Sequence, residues 1–224
     1  LVASRAHHAD IGGRVPGSMP ALSAHIDDEG ALLEPMPIVH NGAFLEHDVR
    51  AALARGPYPA RNPDQNVADL KAQLAANARG VAELRGMVER FGLDVVNAYM
   101  RHAQDNAQEC VERALRRLRS GAWTLELDGG ERLCVAVHIN KESLKAVIDF
   151  TGTSAMTSGN FNAPAAIARA AVLYVFRTLV EEDIPLNAGC LRPLELVLPP
   201  ASLVNPQHPA AVCAGNVETS QCIT

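Results

Sequence analysis

The apolar residues of this chain keep two different rhythms in succession, and this limits its possible folds more than any other feature. From Asp64 they recur at three- and four-residue steps, at Val67, Leu70, Leu74, Val81, Leu84, Val88 and Phe91, which places them on one face of a long helix. Gly92 follows as its stop. A second helix is expected directly after it, with Val95, Tyr99, Ala103, Cys110, Ala114 and Leu118 turned inward and Arg101, Asp105, Glu109 and Arg116 outward. So short a joint implies an antiparallel helical hairpin. At Trp123 the step changes to two. Trp123 to Leu127 and Leu133 to Ile139 read as strands joined through Asp128-Gly129-Gly130, and a polar turn at Asn140 to Ser143 leads into Leu144 to Phe150. That is a three-stranded antiparallel meander. Long helices followed by neighbouring strands make the fold α+β.

Around this centre the pattern is weaker. Residues 1 to 62 are rich in Gly, Pro and His, with one short helix expected near Glu46 to Arg55; loop-rich segments on a rigid body are where sites tend to lie. Asn162-Ala163-Pro164 marks another helix start, with Pro164 tolerated in the first turn. A strand at Leu194 to Leu198, a proline-rich loop and a last strand at Ala210 to Gly215 complete the reading.

With 224 residues, 48% hydrophobic and 20% charged, the chain can bury a core of its own. It opens on Leu1-Val2-Ala3 and stops at Ile223-Thr224, so residues 1–224 are expected to be one fragment of a larger domain, cut at both ends. The net charge of −5 and the 4% of aromatic residues argue against a nucleic-acid partner, and the basic run from Arg113 to Arg119 reads as a solvated helix face. No apolar run approaches the roughly 20 residues of a membrane span. Five cysteines without a C-x-x-C pair suit reduced thiols in the cytoplasm rather than a disulfide framework or structural zinc.

Three clusters could carry chemistry. Ser4 to Gly13 holds His7, His8 and Asp10 ahead of a glycine pair, the makings of a metal site or an acid–base centre; surface histidines and an aspartate capping a turn are the alternative. Asp149 to Ser154 followed by Gly159 to Pro164 sets a carboxylate at a strand end, then Asn160 and Asn162, then a helix N-terminus that favours an anion. A capped loop explains the same residues. In Ala214 to Gln221, Glu218 could serve as a base and Asn216 or Ser220 could bind a carbonyl; a polar helix start is equally consistent. Cys190 and Cys213 have no sequence partner that would mark an activated nucleophile. There is no G-x-x-x-x-G-K-[ST] loop.

These three clusters, in order with Pro16-Gly17-Ser18-Met19-Pro20, the stretch Asn66 to Gln73 and the stretch Asp183 to Leu191, resemble the hydantoinase B/oxoprolinase family from Ser4 to Gln221. The resemblance implies ATP-dependent opening of a cyclic amide, 5-oxoproline to glutamate or a hydantoin to an N-carbamoyl amino acid. In that scheme a hydantoinase A-type ATPase half binds ATP and phosphorylates the ring amide oxygen, within an oligomer. A chain of this kind is the metal-bearing hydrolytic half. The resemblance makes His7 the best ligand for a divalent metal (Mn, Zn, Fe or Co), together with a G-T-H-x-x-D stretch expected upstream of Leu1, and His8 and Asp10 alternative or supporting ligands; the residues themselves leave Asp149 and Glu218 as candidate bases and Asn160, Asn162, Asn216 and Ser220 as candidate substrate contacts. A ketone-carboxylating subunit of the acetone carboxylase type and a non-catalytic assembly partner of the ATPase are the rival readings.

Overall fold

The computed structural model describes all 224 residues. After a short hairpin of β1 (Val39–His40) and β2 (Ala43–Phe44) comes α1 (Glu46–Leu53), which ends close to its expected limit. The first long helix, α2, runs Pro63–Phe91 and the second, α3, Leu93–Arg117. Asn62 accepts the Gln65 N–H at the start of α2, Pro63 fills its first turn, and Gly92 at φ 85° ends it. At the far end of α3, the Lys141 ammonium donates to the carbonyls of Leu115, Arg116 and Leu118, a cation on the negative end of the helix.

The inner face of α3 matches the expected one at Cys110 and Ala114, which are buried. Val95 and Tyr99 are 45% and 71% exposed, and Val96, Ala107, Val111 and Leu115 are buried in their place. Both sets fit helical spacing, but the sheet and the turn at Ala188–Leu191 select the second. No hydrogen bond or ion pair joins α2 to α3 along their length; the polar partners of α2 lie in the N-terminal arm and α1.

The meander forms as expected from β3 (Gly121–Glu126), β4 (Arg132–Asn140) and β5 (Lys145–Asp149), and β6 (Leu194–Val197) adds to β5 in parallel. Between β5 and β6 lies α4 (Ala165–Thr178). Helices α3 and α4 bury Leu115, Val111, Val172 and Phe176 against Leu133, Ile148 and Phe150 in one core of 17 residues. Val49, Leu53 and Val67 make a separate small core where α1 meets α2.

The last strand expected does not form. Ala210 keeps a single isolated bridge to His25, a π-helical turn spans Gly215–Thr219, and the short α5 covers Ser220–Ile223. The N–H groups of Val212 and Cys213 donate to the Glu29 carboxylate rather than to a neighbouring strand, so a side chain has replaced the ladder. No helix is long and apolar enough to cross a membrane.

Candidate functional site

Two of the three polar clusters are joined by main-chain contacts. The Gly215 N–H donates to the Asn160 carbonyl at 3.0 Å, and a Cβ on Gly215 would collide with the Asn162 backbone, so the last turn sits directly on the loop leading into α4. The side chains of Asn160 and Asn162 hold this junction. Asn162, fully buried, donates to the carbonyls of Thr157, Gly159 and Ala211 and accepts the Thr157 N–H. Asn160 donates to the Pro20 carbonyl at 2.8 Å and approaches the Cys213 sulfur at 3.4 Å. Both amides are therefore spent on the protein itself.

A cavity of about 420 Å³ opens over the junction, lined by Arg5, His7, Met19, Pro164, Cys213 and Asn216 among others. The N-terminus of α4 reaches it through Pro164 and Ala166. A second cavity of about 360 Å³ shares Ile167 and Asn216 with it and adds Tyr174, Ser220 and Gln221. His7 is exposed and neither its imidazole nor the Asn216 amide takes part in a side-chain hydrogen bond within the protein, so both are free for a ligand. The Ser220 hydroxyl, in contrast, donates back to the carbonyls of Asn216 and Val217.

Side chains of the N-terminal arm alternate in direction, as in any extended segment. His7 faces the cavity, whereas His8 Nδ1 lies 3.1 Å from Asp69 Oδ2 on α2. Gln65 holds Asp69 from the preceding turn at 2.8 Å, and Asn66, itself 1% exposed, donates to the Asp10 carbonyl at 2.8 Å. The Asp69 carboxyl is held below its ordinary range, first by the Gln65 hydrogen bond and then by His8. Asp10 turns a third way. Its carboxylate accepts the N–H groups of Gly12 and Gly17 at 2.7 and 2.8 Å and pairs with the Arg61 guanidinium at 2.9 Å. Burial works against that charge, but the Gly12 and Gly17 bonds and Arg61 outweigh it and keep the carboxyl below its usual range.

This divergence decides how a metal would sit. His7, His8 and Asp10 serve three separate environments, and nowhere do three His, Cys, Asp or Glu side chains gather as a metal would require. His7, His8 and Asp10 do not form a donor set by themselves within this chain.

Of the two candidate bases, Asp149 ends β5 and accepts the Thr151 N–H at 2.8 Å. Thr151, through side chain and then backbone, lowers its pKa against the effect of burial, with His138 adding to the shift. Asp149 is not among the residues lining either cavity. Glu218 is exposed on the π-helical turn, two positions from Asn216, with no hydrogen bond or ion pair on its carboxylate.

Sequence reasoning missed Glu29 and Asp69. Glu29 is 8% exposed and binds the hydroxyl of Ser23 as well as the Val212 and Cys213 amides; those two amides lie about 180 positions away, beyond any local signal. Asp69 lies inside the stretch Asn66 to Gln73, to which sequence reasoning assigned no site residue. Burial, the largest influence, pushes the Cys213 thiol up, opposed by Ser23 and reinforced by Glu29, so it stays protonated at neutral pH. The motif from Asp183 to Leu191 is a packing device: Cys190 is in the core and Asn187 reaches the Ala103 carbonyl on α3.

The family model described as hydantoinase B/oxoprolinase matches residues 1–224. The chain belongs to this family. Among its relatives, the 5-oxoprolinase of Dictyostelium discoideum is 41% identical over 233 aligned residues, taking in 100% of this chain and 18% of that protein. The 5-oxoprolinase of Saccharomyces cerevisiae is 40% identical over 235, again 100% of this chain and 18% of its own length. This member of the family thus spans about a fifth of the curated relatives it matches. The ATP-dependent caprolactamase crystal structure from Pseudomonas jessenii shares the fold at a TM-score of 0.77 and 22% identity, over 97% of this chain and 38% of that one.

Proposed function

We propose that this chain is part of the ring-opening half of an ATP-dependent cyclic-amide hydrolase, acting on 5-oxoproline or, failing that, on a hydantoin. The observation that carries this reading is the 41% identity to a 5-oxoprolinase along the whole chain. A lactam carbonyl resists water because its nitrogen lone pair is delocalised onto oxygen. Phosphorylation of that oxygen by ATP, bound on a hydantoinase A-type half that is fused or separate, removes this protection and creates a leaving group. Water then adds to the carbon, the C–N bond breaks as the nitrogen takes a proton, and a second water hydrolyses the acyl phosphate so formed to carboxylate and free phosphate. His7, free and exposed in the larger cavity, is placed to pass that proton, while the Asn216 amide and the first turn of α4 offer donors to the substrate's carbonyl and carboxylate. Glu218 is the better candidate base, because the Asp149 carboxylate is occupied with Thr151. Asn160, Asn162 and Ser220 support the walls. A cytoplasmic oligomer with the ATPase half is the setting we assign.

The test is glutamate release from 5-oxoproline and ATP by the full-length protein with its ATPase half. His7→Ala is expected to lower kcat by about 100-fold or more, the range of a lost proton-transfer group. Unchanged glutamate release in His7→Ala would remove His7 from the reaction. Opening of a hydantoin with 5-oxoproline inert would replace the substrate and keep the site.

A further inference from the structure

The pair formed by His8 and Asp69 lies outside the cavity lining, and the steps above do not use it. His8 Nδ1 has two neighbours, Asp69 Oδ2 at 3.1 Å and Asn66 Nδ2 at 3.3 Å. A lone pair at Nδ1 would face the carboxylate, so the proton sits on Nδ1 and is donated to Asp69; the Asn66 amide gives one of its two hydrogens to the Asp10 carbonyl. The other ring nitrogen, Nε2, has no protein partner and is not sealed from solvent. A carboxylate behind one nitrogen of an imidazole fixes its tautomer and leaves the lone pair on the other.

The arrangement is built in depth. Asp69 is held by Gln65 one turn earlier on α2, and Asn66 on the same helix ties down the arm two residues beyond His8. Asn66 is 1% exposed with its Oδ1 unpartnered, a buried polar group kept at a cost that its bond to the arm explains. A surface ion pair would need none of this support.

From this geometry we infer that Asp69 is a positioning residue: it locks His8 as the Nδ1–H tautomer with its lone pair fixed on Nε2, one residue from His7. The inference rests on the ring-opening reading for its role in turnover, but not for its chemistry, and the test separates the two. Diethyl pyrocarbonate attacks an imidazole at its free lone pair, and peptide mass spectrometry of the full-length protein reads the rate at each histidine. In Asp69→Asn the rate at His8 is expected to fall several-fold, while His47, whose side chain is 95% exposed, keeps its rate. With 5-oxoproline and ATP, kcat is expected to fall about 10- to 100-fold, the range of second-layer partners of a functional histidine, at constant KM. A His8 rate that is unchanged or faster, with His47 constant, overturns the inference whatever the activity does. A slower His8 with no turnover of 5-oxoproline even in the wild type supports it and sinks the substrate assignment alone. Should Asp69→Asn unfold, seen as all histidines reacting at one rate, Gln65→Leu on the outer side of α2 takes its place with the same reading.

Discussion

Asp10 shows how a residue chosen for chemistry can be explained by structure. Its two oxygens close the turn from Gly12 to Gly17 and hold Arg61, which also donates to the Gly12 carbonyl. A carboxyl with a folded pKa below its unfolded one binds its proton more readily in the unfolded chain, so it contributes stability above the unfolded pKa of about 3.9. That contribution disappears as pH falls through the folded value. Melting temperature measured from pH 7 to 2 is therefore expected to drop more steeply for wild type than for Asp10→Asn below about pH 4. Equal slopes would mean that the turn does not depend on the charge. His7 and Asn216 are the opposite case. Their side chains bond to nothing in the protein, and they face one cavity.

At the scale of elements, much of the fold was legible because the burying pattern is local. The period of two gave β3 to β5 within a residue or two, and Asn62, Pro63 and Gly92 bound α2 where their chemistry predicts. The inner stripe of α3 was right at Cys110 and Ala114 but misplaced at Val95 and Tyr99, because two adjacent stripes satisfy helical spacing and only the packed sheet chooses between them. Ala210 to Gly215 looked like a strand because its apolar alternation is real, but the Glu29 carboxylate takes its amides. The site was legible as three clusters, not as an assembly, since Gly215 meeting Asn160 and Asn162 is a contact across more than 50 positions. That contact makes a prediction for the last turn. Gly215→Ala forces a methyl into the Asn162 backbone, with an expected cost of about 1–3 kcal/mol, typical of overpacking. Because Asn216 is the next residue, KM should rise with it. Denaturant midpoints and steady-state kinetics on the same preparation check both, and an unaltered midpoint would show that the junction is looser than drawn.

Across the whole molecule, the larger cavity lies where two bodies meet. The arm carrying His7 is anchored to α2, whose Val67 belongs to the small core with Val49 and Leu53, whereas Cys213, Asn216 and the start of α4 rest on the 17-residue core. The bonds that cross between them gather around Pro20 to Glu29: Glu29 to Val212 and Cys213, Ile26 to the Pro209 carbonyl, Asn160 to the Pro20 and Ala21 carbonyls, and Cys213 to Ser23 and the Pro20 carbonyl. Cores that share no buried apolar contact open as separate cooperative units. Leu53→Ala leaves a cavity in the small core, and Phe150→Ala leaves a larger one in the main core; buried truncations of this kind cost about 2–5 kcal/mol. Hydrogen exchange is expected to quicken in α1 and the first turns of α2 for Leu53→Ala, with α3, β4 and β5 unchanged, and to do the reverse for Phe150→Ala. If the bodies are independent, Leu53→Ala also weakens activity by displacing the arm while the main core stays protected. Equal loosening of both regions by either substitution would instead make the molecule one unit, and the cavity a fixed cleft rather than a seam between two bodies.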